Sequence, residues 1–172
     1  MEVKKLIRLS MLVSLSVILS IIESFIPIFN TIPGLKLGLA NTVIILVLYV
    51  YGFKDALLVS IIRIFIVGIL RVGLFNLSFF FSLGGAFLSV LMMFLFKRLT
   101  KLSPVGISLI GSISHNIGQV LIALILIYTD AWFIYLPYLI IFSIPTGIII
   151  GFISKEMIKE YKKIIDNQKE GY

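Results

Sequence analysis

Glu23, Arg63, His115, Asn116 and Gln119 are ionisable or amide side chains set within long apolar runs. His115 and Gln119 stand four apart and Asn116 and Gln119 three apart, a spacing that joins them on one helical face. Lys36 and Asn41 belong to Pro33-Gly34-Leu35-Lys36-Leu37-Gly38-Leu39-Ala40-Asn41, where a loop re-enters an apolar segment, and Arg71 follows the run that holds Arg63. Even on a lenient insertion scale a charge at the bilayer centre costs about 2.5–3.5 kcal/mol, so Arg63 must face a partner or a cavity. Lys36, Arg63 and Arg71 outweigh Glu23, which suits the carboxylate or phosphate of a ligand whose remainder is apolar or aromatic. In that reading Lys36 and Arg63 hold the negative charge, and Asn41, Asn116 and Gln119 orient the ligand. Glu23 pairs with Arg63 or accepts from the ligand, and a neutral His115 bonds either way. The other reading is a structural network in which Glu23, Arg63, His115 and Gln119 pin helices together. Both stay open at this level.

Other chemistries are excluded by what the chain lacks. A single histidine and no cysteine leave no histidine-rich or thiolate metal site and no thiol nucleophile. Asp55, Asp130 and Asp166 are isolated, so no paired-aspartate magnesium site for diphosphate chemistry is expected. No P-loop is present either, so nucleotide hydrolysis would have to come from a partner. The expectation is a protein without cofactor or metal, and without catalysis of its own.

The elements that position these residues are membrane spans. Of 172 residues 60% are hydrophobic and only 13% charged, with a mean hydropathy of +1.16. Such values mark an integral membrane protein. The net charge of +7 does not signal nucleic acid, because lysine and arginine gather at the chain ends and in short connections. Apolar runs predict an all-α bundle of about six transmembrane helices in a single domain, over residues 6–26, 38–51, 56–70, 77–96, 104–128 and 133–153. The first is read as a retained span, since no small-residue cleavage site follows it. Pro27 ends it and opens an Asn30–Lys36 loop, and Thr129–Trp132 forms a turn. The tail from Lys155 onward, within residues 154–172, reads as a short amphipathic basic helix that then frays.

With six spans, Lys4, Lys5, Arg8, Lys54, Lys97, Arg98, Lys101 and the tail lysines share one face, against Lys36 and Arg71 on the other. That asymmetry predicts a multi-pass cell-membrane protein surrounded by lipid, with both termini cytoplasmic. Glu23, Lys36, Asn41 and Arg71 then fall in the outer half, and Arg63 and His115 near mid-depth. Ser10/Ser14, Ser16/Ser20 and Ser20/Ser24 give the first span small residues at four-residue spacing. They serve close packing within the bundle or docking onto a partner's helix. The ladder Ser143, Gly147, Gly151 suits close packing.

Leu6–Glu23, Ile32–Asn41 and Ser114-His115-Asn116-Ile117-Gly118-Gln119 resemble the bacterial Gx transporter family, also labelled heptaprenyl diphosphate synthase component I. The likeness runs over nearly the whole chain. That family is similar in layout to the substrate-binding S components of energy-coupling-factor (ECF) transporters. The resemblance implies capture of a small ligand from outside and docking on a membrane coupling subunit with an ATPase pair. Ser10 and Ser14 stand where S components carry an AxxxA docking face. The synthase label implies instead a membrane partner of a soluble prenyl diphosphate synthase in quinone biosynthesis.

Overall fold

The computed structural model describes residues 2–26, 37–127 and 131–170. Six helices account for them: α1 Glu2–Glu23, α2 Leu39–Val50, α3 Phe53–Val67, α4 Leu77–Leu99, α5 Pro104–Ile127 and α6 Ala131–Glu170. Among the described residues there is no strand, and the protein is an all-α membrane bundle. Helical stretches Val3–Glu23, Leu77–Leu99, Pro104–Ile127 and Trp132–Ile165 are long and apolar enough to cross a membrane.

The remaining helices are short, and the shortest lies at the centre. α2 has 12 residues, about 18 Å at about 1.5 Å per residue. Val43 through Leu48 are all essentially fully buried. A helix apolar on every side belongs inside a bundle, and α2 packs against α1, α3, α4 and α6. Leu9 and Leu12 of α1, Val59 of α3, Val90 and Met93 of α4, Ile107 of α5 and Ile150 of α6 complete that core. The outward faces carry exposed Ile18, Phe87, Leu121 and Phe142, as a lipid-facing surface requires.

Several boundaries differ from the hydropathy reading, each for a local reason. α1 ends at Glu23 and passes into a turn through Ile26. Ser24 Oγ bonds back to the Ile21 carbonyl there, competing with the helical ladder. α3 starts at Phe53, directly after Gly52, and runs on into a π-helical turn, Gly68–Val72, that holds Arg71. α4 extends through Leu99, which puts Lys97 and Arg98 in its last turn, where cations favour the helix dipole.

The largest difference is the tail. α6 is one helix of 40 residues, with no break between the apolar part and the basic segment. Pro137 and Pro145 lie inside it. Thr146 Oγ1 bonds the Phe142 and Ser143 carbonyls at 3.2 Å each, and Ser143 Oγ bonds the Ile140 carbonyl at 2.7 Å. Such hydroxyls re-satisfy the backbone around a proline. Farther along, Ile158 is buried in the main core and Tyr161 Oη meets Tyr51 Oη at 2.8 Å. The basic segment is therefore docked on the α2–α3 turn. Lys5 and Asp55 pair at 2.7 Å at this end of the bundle, and Lys97 Nζ donates to the Leu48 carbonyl at 2.8 Å.

Glycine sets the spacing of α4, α5 and α6. A methyl on Gly118 would lie 2.6 Å from the Gly84 carbonyl oxygen, and one on Gly151 would lie 2.6 Å from Val105 Cα. Backbone meets backbone at both crossings, so Gly84-Gly85 and the Gly147/Gly151 ladder serve close packing.

Candidate functional site

Glu23 sits at the end of α1, is 6% exposed, and reaches across to the start of α2. Gly38 N donates to its Oε1 at 2.8 Å and Leu39 N donates to its Oε2 at 3.0 Å. Both carboxylate oxygens thus take up amides that the first turn of a helix leaves without intrahelical partners. Gly38 stands at φ 87°, a left-handed conformation that glycine adopts without strain. That torsion is what the second glycine of the Pro33–Asn41 stretch supplies.

At the start of α2, Leu37, Gly38, Leu39 and Asn41 are half-buried, and unbroken burial begins with Thr42. Leu37, Gly38 and Asn41 line a cleft with Ser89 and Met93 of α4, Ser108, Gly111 and Ser112 of α5, and Gly147 and Ile150 of α6. Ser89 is midway along α4, so α2 begins beside the middle of a membrane-spanning helix. The cleft itself is narrow, with room for roughly one water molecule. Ser89 Oγ and Ser108 Oγ on its wall donate to the Gly111 and Gly147 carbonyls, each at 2.8 Å.

Arg63 is 7% exposed on α3. The short Tyr51–Gly52 connection joins α2 to α3, and the two helices pack against each other. The Glu23 carboxylate acts on it electrostatically, yet the ion pairs among the described residues do not include Glu23 with Arg63. The direct pair expected as the core of a structural network is not formed among the described residues, and the Glu23 oxygens accept from α2 amides. Thr42 Oγ1 and Ser60 Oγ, on the two helices that flank this region, are buried without hydrogen-bond partners. Sequence reasoning passed over both. Their signal was present: Thr42 interrupts the apolar run of α2, and Ser60 lies three before Arg63 on the same face.

The α5 patch forms a second group. Gln119 Nε2 and His115 Nε2 are 3.2 Å apart, and Gln119 is 4% exposed. A methyl on Gly85 would meet the His115 carbonyl at 2.8 Å and Gln119 Cγ at 2.9 Å, which places these two residues at the α4–α5 crossing. Asn116 Nδ2 donates to the Leu139 carbonyl of α6 at 2.9 Å. Interhelical bonds of this kind average about 0.6 kcal/mol and reach about 1.7 kcal/mol. Asn116→Ala is accordingly expected to lower bundle stability by about 0.6–1.7 kcal/mol, read as a lower unfolding midpoint in detergent. An unchanged midpoint would show that the bond adds nothing.

The remaining expected residues lie apart. Arg71 is exposed and stacks its guanidinium 5.0 Å from the Phe25 ring. Lys36, the Asn30–Lys36 loop and Thr129–Asp130 lie outside the described residues. Ser10 and Ser14 face outward, with Ser14 Oγ bonded at 3.1 Å to the Ser10 carbonyl of its own helix, whereas Ser16 is fully buried. Among the described residues no group of three or more His, Cys, Asp or Glu is placed to hold a metal.

A family model described as heptaprenyl diphosphate synthase component I matches residues 12–157. The chain belongs to that family. The heptaprenyl diphosphate synthase component I match runs from the second half-turn past Ser10 to the docked part of α6, and so takes in Glu23, Arg63 and the α5 patch. Comparison with curated proteins and with solved structures gave no match.

Proposed function

We propose that this membrane protein is a non-catalytic, S-component-like subunit. It takes a small anionic or amphipathic ligand from the outer face of the cell membrane and passes it inward with a partner ATPase module. The observation that carries the reading is Arg63, buried on a helix that packs against the short central α2 and without an ion pair among the described residues. Discontinuous helices whose N-termini open at mid-membrane are a recurrent way to meet anionic substrates. Both termini lie in the cytoplasm in this reading, with the basic end of the bundle facing inward. Lys36 on the entry loop adds a second cation for the ligand.

The outward face of Ser10 and Ser14 supports docking on a partner's helix, since neither residue packs within the chain. Serine at these positions keeps the face small, so another helix can approach closely. A doubled Ser10→Leu, Ser14→Leu variant is expected to fold normally and lose its membrane partner on purification in mild detergent. Retention of the partner at wild-type level would remove that face from the interface.

A second reading follows from the family: a membrane subunit for a soluble prenyl diphosphate synthase. The docked basic end of α6, with Lys97, Arg98 and Lys101 nearby, favours it by offering a rigid cationic platform. One purification separates the two. An ATPase pair with a membrane coupling subunit, identified by mass spectrometry, supports uptake. A soluble prenyl synthase in their place overturns uptake and makes the chain its membrane subunit.

A further inference from the structure

We infer that the cleft between α2, α4, α5 and α6 is a site for one uncharged hydrogen-bonding group held by Asn41 and Ser112. That group is a water molecule in the free chain and the amide or hydroxyl of a ligand in its place. The inference rests on the uptake reading for its natural ligand, and the site itself stands on the cleft's geometry. Asn41, Ser89, Ser108 and Ser112 line the cleft, and no charged residue does. The Ser89 and Ser108 hydroxyls have spent their protons on the Gly111 and Gly147 carbonyls, each at 2.8 Å, so their oxygens keep only accepting capacity. The Asn41 side-chain amide and the Ser112 hydroxyl make no hydrogen bond among the described residues and keep their donors. A gap between apolar faces stays dry, whereas a gap with two such donors and two hydroxyl oxygens offers a water its usual two to four partners.

The walls differ in how far they can yield. On the α5–α6 side backbone lies close to backbone, since a methyl on Gly147 would be 3.1 Å from Leu109 Cα. On the α4 side the neighbour is a side chain: a methyl on Gly111 would lie 2.5 Å from Met93 Sδ and 3.3 Å from Ser89 Oγ. Met93 is 1% exposed, unbranched and able to change rotamer at three bonds. It is therefore the wall that decides whether the cleft takes a water or the end of a larger molecule. Charge decides the class of that end. A carboxylate or ammonium would leave water for a wall that carries no counter-charge, which is costly, whereas an amide or hydroxyl exchanges one set of hydrogen bonds for another. The anionic part of an uptake ligand stays outside the cleft, and the cleft reads its uncharged end.

Two measurements on the full-length protein in mild detergent test the site. Hydroxyl radicals made by an X-ray pulse label a buried side chain when a bound water lies against it. Met93 of the wild type is expected to be oxidised at a rate at least about fivefold above that in Asn41→Leu with Ser112→Val, where apolar side chains take the place of the polar ones. An unlabelled wild-type Met93 would overturn the site, and so would equal rates in the two proteins. The wild-type arm decides even where the double variant does not fold. The second measurement separates water from a ligand group. Met93→Ala widens the cleft, and this variant is titrated with acetamide and with sodium acetate at fixed ionic strength, following the thermal unfolding midpoint. The two probes have nearly the same shape and differ in charge. The expected result is a saturable rise with acetamide, at a concentration at least about tenfold below any acetate response, lost when Asn41→Leu is added. Met93→Val serves the same titration if M93A does not fold. An acetate response equal to or stronger than that of acetamide would overturn the uncharged assignment. No response to either probe would overturn the ligand's part and assign the cleft to water alone. Both measurements use the chain by itself, so loss of the uptake reading through purification of a different partner would leave them standing.

Discussion

Gly118→Ala is expected to lower the unfolding midpoint by the equivalent of about 1–3 kcal/mol, although it adds one methyl group. The reason is what that methyl meets. It would lie 2.6 Å from the Gly84 carbonyl oxygen and 2.9 Å from Gly85 Cα. Neither atom belongs to a side chain that can swing away. α4 and α5 must separate along a crossing that also holds His115 and Gln119 against Gly85. Dispersion is the main attraction between helices in lipid, so a small separation forfeits much of it. Gly106→Ala is the control, because its nearest neighbour is the flexible Leu102 side chain at 3.3 Å. Alanine is favoured over glycine in a helix by about 1 kcal/mol, so that variant is expected to hold or gain stability. Equal losses in the two variants would mean that the α4–α5 contact is not built on Gly118.

The same crossing shows how far the sequence could be read. Hydropathy alone finds the apolar helices, because burying backbone polar groups in lipid leaves few alternatives to helix. The α5 spacing of His115, Asn116 and Gln119 is visible too, since a rigid 3.6-residue period dictates which residues share a face. What those residues touch is not local. Gln119 and His115 meet Gly85, thirty or more positions away, and Asn116 meets the Leu139 carbonyl. Whether a polar patch lines a cavity or a seam depends on the neighbouring helix.

Glu23 makes the point from the other side. Charge type alone pairs it with Arg63, yet its oxygens go to two backbone amides, donors that every residue but proline carries and no sequence pattern advertises. The depth of α2 was hidden for a related reason. The run over 38–51 reads as a span, and only its neighbours show α2 enclosed by α1, α3, α4 and α6. The tail's helix was legible but its docking was not, because composition turns basic after Ile153, whereas Ile158 and Tyr161 carry the docking at helical spacing.

Arg63→Met is expected to raise stability while abolishing anion binding. Methionine keeps an unbranched apolar stem of similar reach, and it removes a buried charge that no hydrogen bond or ion pair satisfies among the described residues. A buried charge without a hydrogen-bonded partner costs stability, so its replacement by an apolar side chain of similar volume is expected to raise the midpoint. Glu23 is not stranded by the change, because Gly38 N, Leu39 N and the α2 terminus continue to hold its carboxylate. If Arg63 were instead the structural counter-charge of Glu23, its removal would cost about 3–5 kcal/mol, the usual loss on breaking a buried pair. The two accounts differ in sign, so one denaturation curve of R63M against wild type decides between them. A rise in midpoint together with a lost anion response identifies a residue kept against its cost in stability, which is the mark of a binding group. A fall with the anion response intact would return Arg63 to the framework of the bundle.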